Sequence, residues 1–107
     1  MSEFVAEVCD GAPHVVVVSG ELDIAVTDEF LARCRQALGD TSDVLEIDCS
    51  GLVFIDSTGI GALVRIYHEA ARTDRTVRLT HVPEPLSRVL AITGLSEVFG
   101  DGGRPSR

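Results

Sequence analysis

Hydrophobic and polar positions alternate along this chain with two different periods, and the switches between them lay out the elements. Phe4 to Cys9 is a short, mainly apolar run that predicts a first strand. Asp10-Gly11 opens a turn that Ala12-Pro13 continues. His14 to Ser19 then carries four consecutive valines, a β-branched run that reads as a buried strand close enough to the first to form a hairpin. After Gly20-Glu21-Leu22-Asp23 the period lengthens. Phe30, Leu31, Cys34 and Leu38 share one helical face, and Asp28, Glu29, Arg33 and Arg35 occupy much of the rest. Thr27 is placed to cap that helix, two acids sit in its first turn, and Gly39 suits its end.

Strand periodicity returns at Asp43 to Cys49, where Leu45, Ile47 and Cys49 alternate with Glu46 and Asp48. Val77 and Leu79 alternate with Arg78 and Thr80 in the same way. Two strands with one wet face predict a sheet covered by helices on one side. A doubly wound sheet, buried on both faces, would show unbroken apolar runs. Between these strands a second helix runs from near Ser57 to about Ala71, with Ile60, Leu63, Val64 and Tyr67 as its inner face. A third runs from Glu84 to Ile92, Pro85 being tolerated in its first turn, and Thr93-Gly94 ends it. Leu95 to Phe99 reads as a short helical turn or extended segment. The order is β-β-α-β-α-β-α, an α/β domain with right-handed crossovers. It spans residues 1–100, with a Gly-rich, frayed tail over 101–107.

Composition narrows the function. A chain of 107 residues holds one core, and with hydrophobic residues at 45% it folds. Aromatics are only 5%, so a base-stacking surface is disfavoured. The net charge is -8, seventeen acids against nine bases, which repels nucleic acid and anionic lipid and favours a basic surface on another protein. Every basic residue is Arg. Without Lys there is no Walker-type phosphate loop, Schiff-base lysine or lysine general base. No segment approaches the roughly 20 apolar residues that span a bilayer, and Met1-Ser2-Glu3-Phe4 lacks the positive start of a signal peptide, so a cytoplasmic protein without membrane contact is expected. Cys9, Cys34 and Cys49 are far apart with no Cys-x-x-Cys spacing. They predict small buried hydrophobes, not a zinc site or a disulfide frame, and no metal or cofactor is expected. A redox pair brought together by folding is the alternative.

The chemistry concentrates where Leu52-Val53-Phe54-Ile55-Asp56-Ser57-Thr58-Gly59-Ile60-Gly61 joins a strand to a helix. Asp56 and Ser57 fall at the helix entrance, where backbone N–H groups lack partners and the dipole is positive. Plain capping by Asp56, Ser57 or Thr58, with glycines allowing close packing, explains these residues structurally. The same place also accepts an anion, so a phosphate on Ser57 need not unfold the domain, and it would add about −1.5 to −2 charges. A hydrolase reading fails for want of a Gly-x-Ser-x-Gly elbow, and His14, His68 and His81 are scattered. Gly59-Ile60-Gly61 gives only an incomplete dinucleotide fingerprint, because Val64 stands where its third glycine belongs, and nucleotide binding stays open as a weaker alternative.

Gly20-Glu21-Leu22-Asp23, then Leu52-x-Phe54-Ile55-Asp56-Ser57-Thr58-Gly59-Ile60-Gly61, then Thr93-Gly94-Leu95 with Val98-Phe99, resemble the STAS domain family. The likeness is greatest to its stand-alone bacterial anti-sigma factor antagonists, which are not enzymes, and covers about Val5 to Phe99. The resemblance implies a mixed sheet of four to five strands with helices mainly on one face. It also implies a partner switch. The unmodified antagonist binds an anti-sigma factor, a serine kinase of the histidine-kinase-like ATPase fold. Phosphorylation of Ser57, with Thr58 the second candidate, releases it, and a PP2C-type phosphatase restores it. Glu21, Asp23, Asp56, Ser57, Thr58, Gly59 and Ile60 would meet the partner, Glu21 and Asp23 through an Arg of the kinase. The alternative within the family is an accessory subunit of a transporter or stress-sensing assembly.

Overall fold

Valine-rich β2 (His14–Leu22) lies in the interior of a four-stranded sheet, between β1 (Val5–Cys9) and β3 (Val44–Ile55), with β4 (Thr76–Thr80) beyond β3. The computed structural model describes residues 4–9, 14–40 and 43–95. The turn expected at Asp10–Pro13, most of the segment Leu95–Phe99 and the tail 101–107 lie outside the described residues. β1 pairs antiparallel with β2, and β2–β3 and β3–β4 are parallel, so the sheet is mixed. Each parallel step is bridged by a helix: α1 (Thr27–Asp40) between β2 and β3, and α2 (Ser57–Ala71) between β3 and β4. α3 (Glu84–Thr93) follows the sheet. The element order is the one the periodicity predicts.

The one-sided character of the strands is also borne out. Val16, Val18, Leu45, Ile47, Cys49, Val77 and Leu79 are buried and form the core with Phe30, Leu31, Cys34, Ala37 and Leu38 of α1 and with Ala62, Leu63, Ile66 and Ala70 of α2. The other face carries Glu46, Asp48, Arg78 and Thr80, where Arg78 donates to Glu46 across the β3–β4 pair. Only alternate valines of β2 are fully buried. Val15 and Val17 register with Glu46 and Asp48 on the wetter face, so the run is buried on one side, not both.

Three details depart from the sequence expectation. Both inner strands are longer than their alternation suggested. β2 takes in Gly20-Glu21-Leu22, and β3 continues through Gly51 to Ile55. Gly51 permits this, because a Cβ there would lie 2.7 Å from Cβ of Ser19 on β2. Second, Gly39 does not end α1, which runs on to Asp40, and a Cβ at Gly39 would meet open space. Third, the face α2 buries is Gly59, Ala62, Leu63, Ile66 and Ala70, whereas Ile60, Val64 and Tyr67 are only partly buried. The helix is rotated so that its small residues meet the sheet. α3 ends as expected, at Gly94 with φ 81 in the left-handed region, where glycine bears no Cβ penalty.

Candidate functional site

Parallel pairing of β2 with β3 decides where the site lies. Glu21 is opposite Phe54 and Leu22 opposite Ile55, so both strands end on the same rim of the sheet. Asp23 leaves β2 where Asp56 leaves β3, and the Asp56 N–H donates to the Leu22 carbonyl at 3.3 Å, tying the two loops together. The convergence of Glu21 and Asp23 with Asp56 and Ser57 therefore follows from strand register. Asp23 turns the chain toward α1: its Oδ1 accepts the Ala25 N–H at 3.0 Å and its carbonyl accepts the Val26 N–H at 3.1 Å.

Asp56 is the N-cap of α2, with extended backbone at φ -109 and ψ -173. One oxygen, Oδ1, accepts both the Gly59 N–H at 3.0 Å and the Thr58 hydroxyl at 2.5 Å. These bonds, the hydroxyl foremost, hold the Asp56 carboxyl below its ordinary range, so it is an anion at neutral pH. The Asp56 carbonyl also accepts the Ile60 N–H at 3.0 Å. Of the two adjacent hydroxyls, that of Thr58 is thus committed to the cap. Ser57 is exposed and its side chain makes no hydrogen bond among the described residues. The capping explanation therefore belongs to Asp56 and Thr58 and leaves Ser57 over.

Gly59 explains how close this helix comes to the sheet. A Cβ there would stand 2.6 Å from the Leu22 carbonyl oxygen, 2.7 Å from Cγ1 of Ile55 and 2.9 Å from Cγ of Leu22. No side chain fits, and Gly59 is buried. Gly61, in contrast, faces open space. The two glycines do not form a ligand loop: one is a close-packing requirement and the other is not. Ile60 is partly exposed beside this turn.

The rim also carries apolar residues that were not singled out as contacts in the sequence. Ile24 is 74% exposed, Val53 68% and Phe54 50%. Val53 and Phe54, with Leu52 and Ile55, line a cavity of about 170 Å³ against Pro83, Pro85, Leu86 and Val89. A signal was present: in the unbroken run Leu52–Ile55, strand geometry cannot turn every side chain inward. Of the three histidines, His14 opens β2, His68 lies on α2, and His81 follows β4 with its Nδ1 3.4 Å from Asp48 Oδ1 on the open sheet face. None is bonded to Ser57 among the described residues. No described helix is long and apolar enough to cross a membrane.

A small mixed sheet with helices on one face and a carboxylate-lined helix entrance at its rim defines the class, an α/β domain of STAS type. Comparison with known proteins agrees. The family profile described as "Mlab, STAS domain" matches residues 5–100. The chain is 31% identical over 89 residues to an anti-sigma-B factor antagonist of Staphylococcus epidermidis, 80% of each chain being covered. Among solved structures, it resembles an anti-sigma factor antagonist from Mycobacterium paratuberculosis with a TM-score of 0.76 and 27% identity, over 92% of this chain and 84% of that one. It shares its fold with a sulfate transporter family protein from Wolinella succinogenes as well, at a TM-score of 0.68 and 22% identity over 83% of this chain and 72% of that one. The chain belongs to the STAS domain family.

Proposed function

We propose that this protein is an anti-sigma factor antagonist, a binding module without catalysis of its own, whose affinity for its partner is set by the state of Ser57. The observation that carries the reading is the division of labour at the start of α2. Asp56 and Thr58 satisfy the helix end, and the Ser57 hydroxyl stands exposed beside them. The names of the relatives from Staphylococcus and Mycobacterium support the same role.

In this reading the bare rim of Glu21, Asp23, Asp56, Ser57, Thr58, Gly59 and Ile60 docks on a serine-kinase anti-sigma factor of the histidine-kinase-like ATPase fold. Glu21 and Asp23 meet an Arg of the kinase. The Ser57 oxygen attacks the γ-phosphorus of ATP, ADP leaves, and the hydroxyl proton passes to a base on the kinase. The product carries a dianion next to the ionised Asp56. A surface that closed over a neutral hydroxyl then faces added bulk and an unpaired buried charge. A thousandfold loss of affinity requires about 4 kcal/mol, within the range of one such mismatch. Because a helix N-terminus tolerates an anion, the domain stays folded while the complex dissociates. A PP2C-type phosphatase resets the switch by hydrolysis.

Incubation with a cognate kinase and ATP should add one phosphate, seen by intact mass, and Ser57→Ala should abolish it. Ser57→Asp should bind the kinase at least a hundredfold more weakly than the wild type by calorimetry. Full labelling of Ser57→Ala would move the site to Thr58 or elsewhere, and undiminished binding by Ser57→Asp would remove the electrostatic argument.

A further inference from the structure

Charge is unevenly distributed over this molecule. Seventeen acidic residues stand against nine arginines in the chain, yet one cleft inverts the sign. Between α1 and the second half of α2, Arg35, Arg65 and Arg72 line a cleft of about 590 Å³ with His68, Glu69 and Ala71. Its single carboxylate is already engaged, because Arg35 donates from Nε to Glu69 Oε1 at 2.9 Å and from Nη2 to Oε2 at 2.7 Å. That bidentate bond is the main reason the Glu69 carboxyl is held below its ordinary range, and the charges of Arg35, Arg65 and Arg72 add to it. Arg65 and Arg72 are exposed and make no ion pair of their own among the described residues.

Helix electrostatics accounts for only part of this arrangement. Arg72 caps the C-terminus of α2, where a cation complements the dipole. Arg65 lies further in, beyond the last turn, and the dipole gives it no reason to be there. Arg65, His68, Glu69 and Arg72 share a face by their spacing of three, four and seven. Arg65 also lines the smaller cavity that reaches Asp28 and Thr58 near the other end of the α1–α2 groove.

We infer that this cleft is a second docking surface and that its occupant is an acidic polypeptide segment. Charge complementarity selects the occupant. Two unpaired guanidinium groups seven residues apart on a helix lie about 10 Å apart along the axis. That spacing suits carboxylates two helical turns apart, or near neighbours on an extended acidic run. A nucleic acid or an anionic bilayer would bring its charge against the acidic remainder of the surface as well, whereas a short segment presents it to the cleft alone. The cleft lies toward the end of α2 remote from Ser57: along the axis Arg65 is about 12 Å and Arg72 about 22 Å further on, both beyond the screening length of about 8 Å at about 0.15 M salt. The inference does not depend on the Ser57 switch and stands or falls separately.

The test uses the whole chain, isotopically labelled and titrated with a decaglutamate peptide at low salt while amide and arginine side-chain resonances are followed. The expected result is saturable shifts centred on Arg65, His68 and Arg72, weakened several-fold at about 0.3 M salt. The double variant Arg65→Gln/Arg72→Gln should bind at least tenfold more weakly with an unchanged thermal midpoint, and at about 0.15 M salt Ser57→Asp should bind within twofold of the wild type. Equal binding by the double variant, or shifts centred elsewhere, would overturn the proposal. So would inorganic phosphate or phosphatidylglycerol vesicles binding as well as the peptide. Concentration-dependent self-association abolished by the double variant would name a second copy of this chain as the occupant and overturn the choice of partner.

Discussion

At the scale of single residues, the Asp56 carboxylate and the Thr58 hydroxyl make a bond whose effect can be read as a titration. Thr58 is the leading cause of the lowered Asp56 pKa, and the Gly59 N–H comes next. Thr58→Val removes the first and keeps the second, so the Asp56 carboxyl should move up toward its ordinary value, about 3.9, without reaching it. A carboxyl whose folded value is depressed contributes stability above its unfolded pKa and loses it as pH falls through the folded one. The variant should therefore lose less stability between about pH 5 and the acid limb than the wild type does. Carbon-detected NMR titration of Asp56 checks the first statement, and urea midpoints against pH check the second. Glu69, which is lowered by Arg35 instead, should titrate as before and serves as the internal control. An Asp56 value unmoved by the substitution would mean that the hydroxyl is not its partner in solution.

At the scale of elements, α2 shows what a linear pattern can and cannot disclose. Its limits, Ser57 to Ala71, are legible because an N-capping acid, a turn of small residues and the apolar period all agree there. Its orientation is not. The i, i+3, i+4, i+7 rule started at Ile60 selects Ile60, Leu63, Val64 and Tyr67, but the sheet accepts Gly59, Ala62, Leu63, Ile66 and Ala70, the same spacing started one residue earlier, because steric approach, not hydrophobicity alone, sets the contact. The same steric logic gives opposite expectations for two neighbouring glycines. Gly59→Ala drives a Cβ to 2.6 Å from the Leu22 carbonyl oxygen, backbone that cannot step aside, and overpacking of this kind costs about 1–3 kcal/mol. Gly61→Ala meets nothing within 4 Å and removes a helix-interior glycine, a gain of about 0.5–1 kcal/mol. Urea denaturation of the two variants should move in opposite directions. If both destabilise equally, α2 does not sit against β2 as described. The candidate switch segment was readable because its parts are contiguous. The basic cleft was not, since Arg35 of α1 looked like a member of a solvated helix face until the fold set it against Arg65 and Arg72.

At the scale of the whole molecule, the cysteines report on the core that holds these surfaces in place. The expectation that all three are small buried hydrophobes holds for Cys34 and Cys49 and fails for Cys9, which lies exposed on edge strand β1. Burial raises the Cys34 thiol beyond the usual range. It pushes Cys49 up to about 12, with the charge of Asp48 contributing. A thiol at that value is ionised in only about one molecule in ten thousand at pH 8, and the thiolate is the nucleophile. Ellman's reagent at pH 8 should therefore titrate one thiol per chain promptly. The other two should react only as the domain opens, at a common rate that rises with urea in proportion to the surface exposed by global unfolding. This makes thiol exchange a measure of core stability that is independent of the rim and of the basic cleft. Ser57→Asp and Arg65→Gln/Arg72→Gln should leave the slow phase unchanged, while Gly59→Ala should accelerate it in step with its loss of stability. Prompt reaction of all three thiols in the native protein would mean that α1 and β3 do not close over a common interior, and the rim that they position would lose its scaffold.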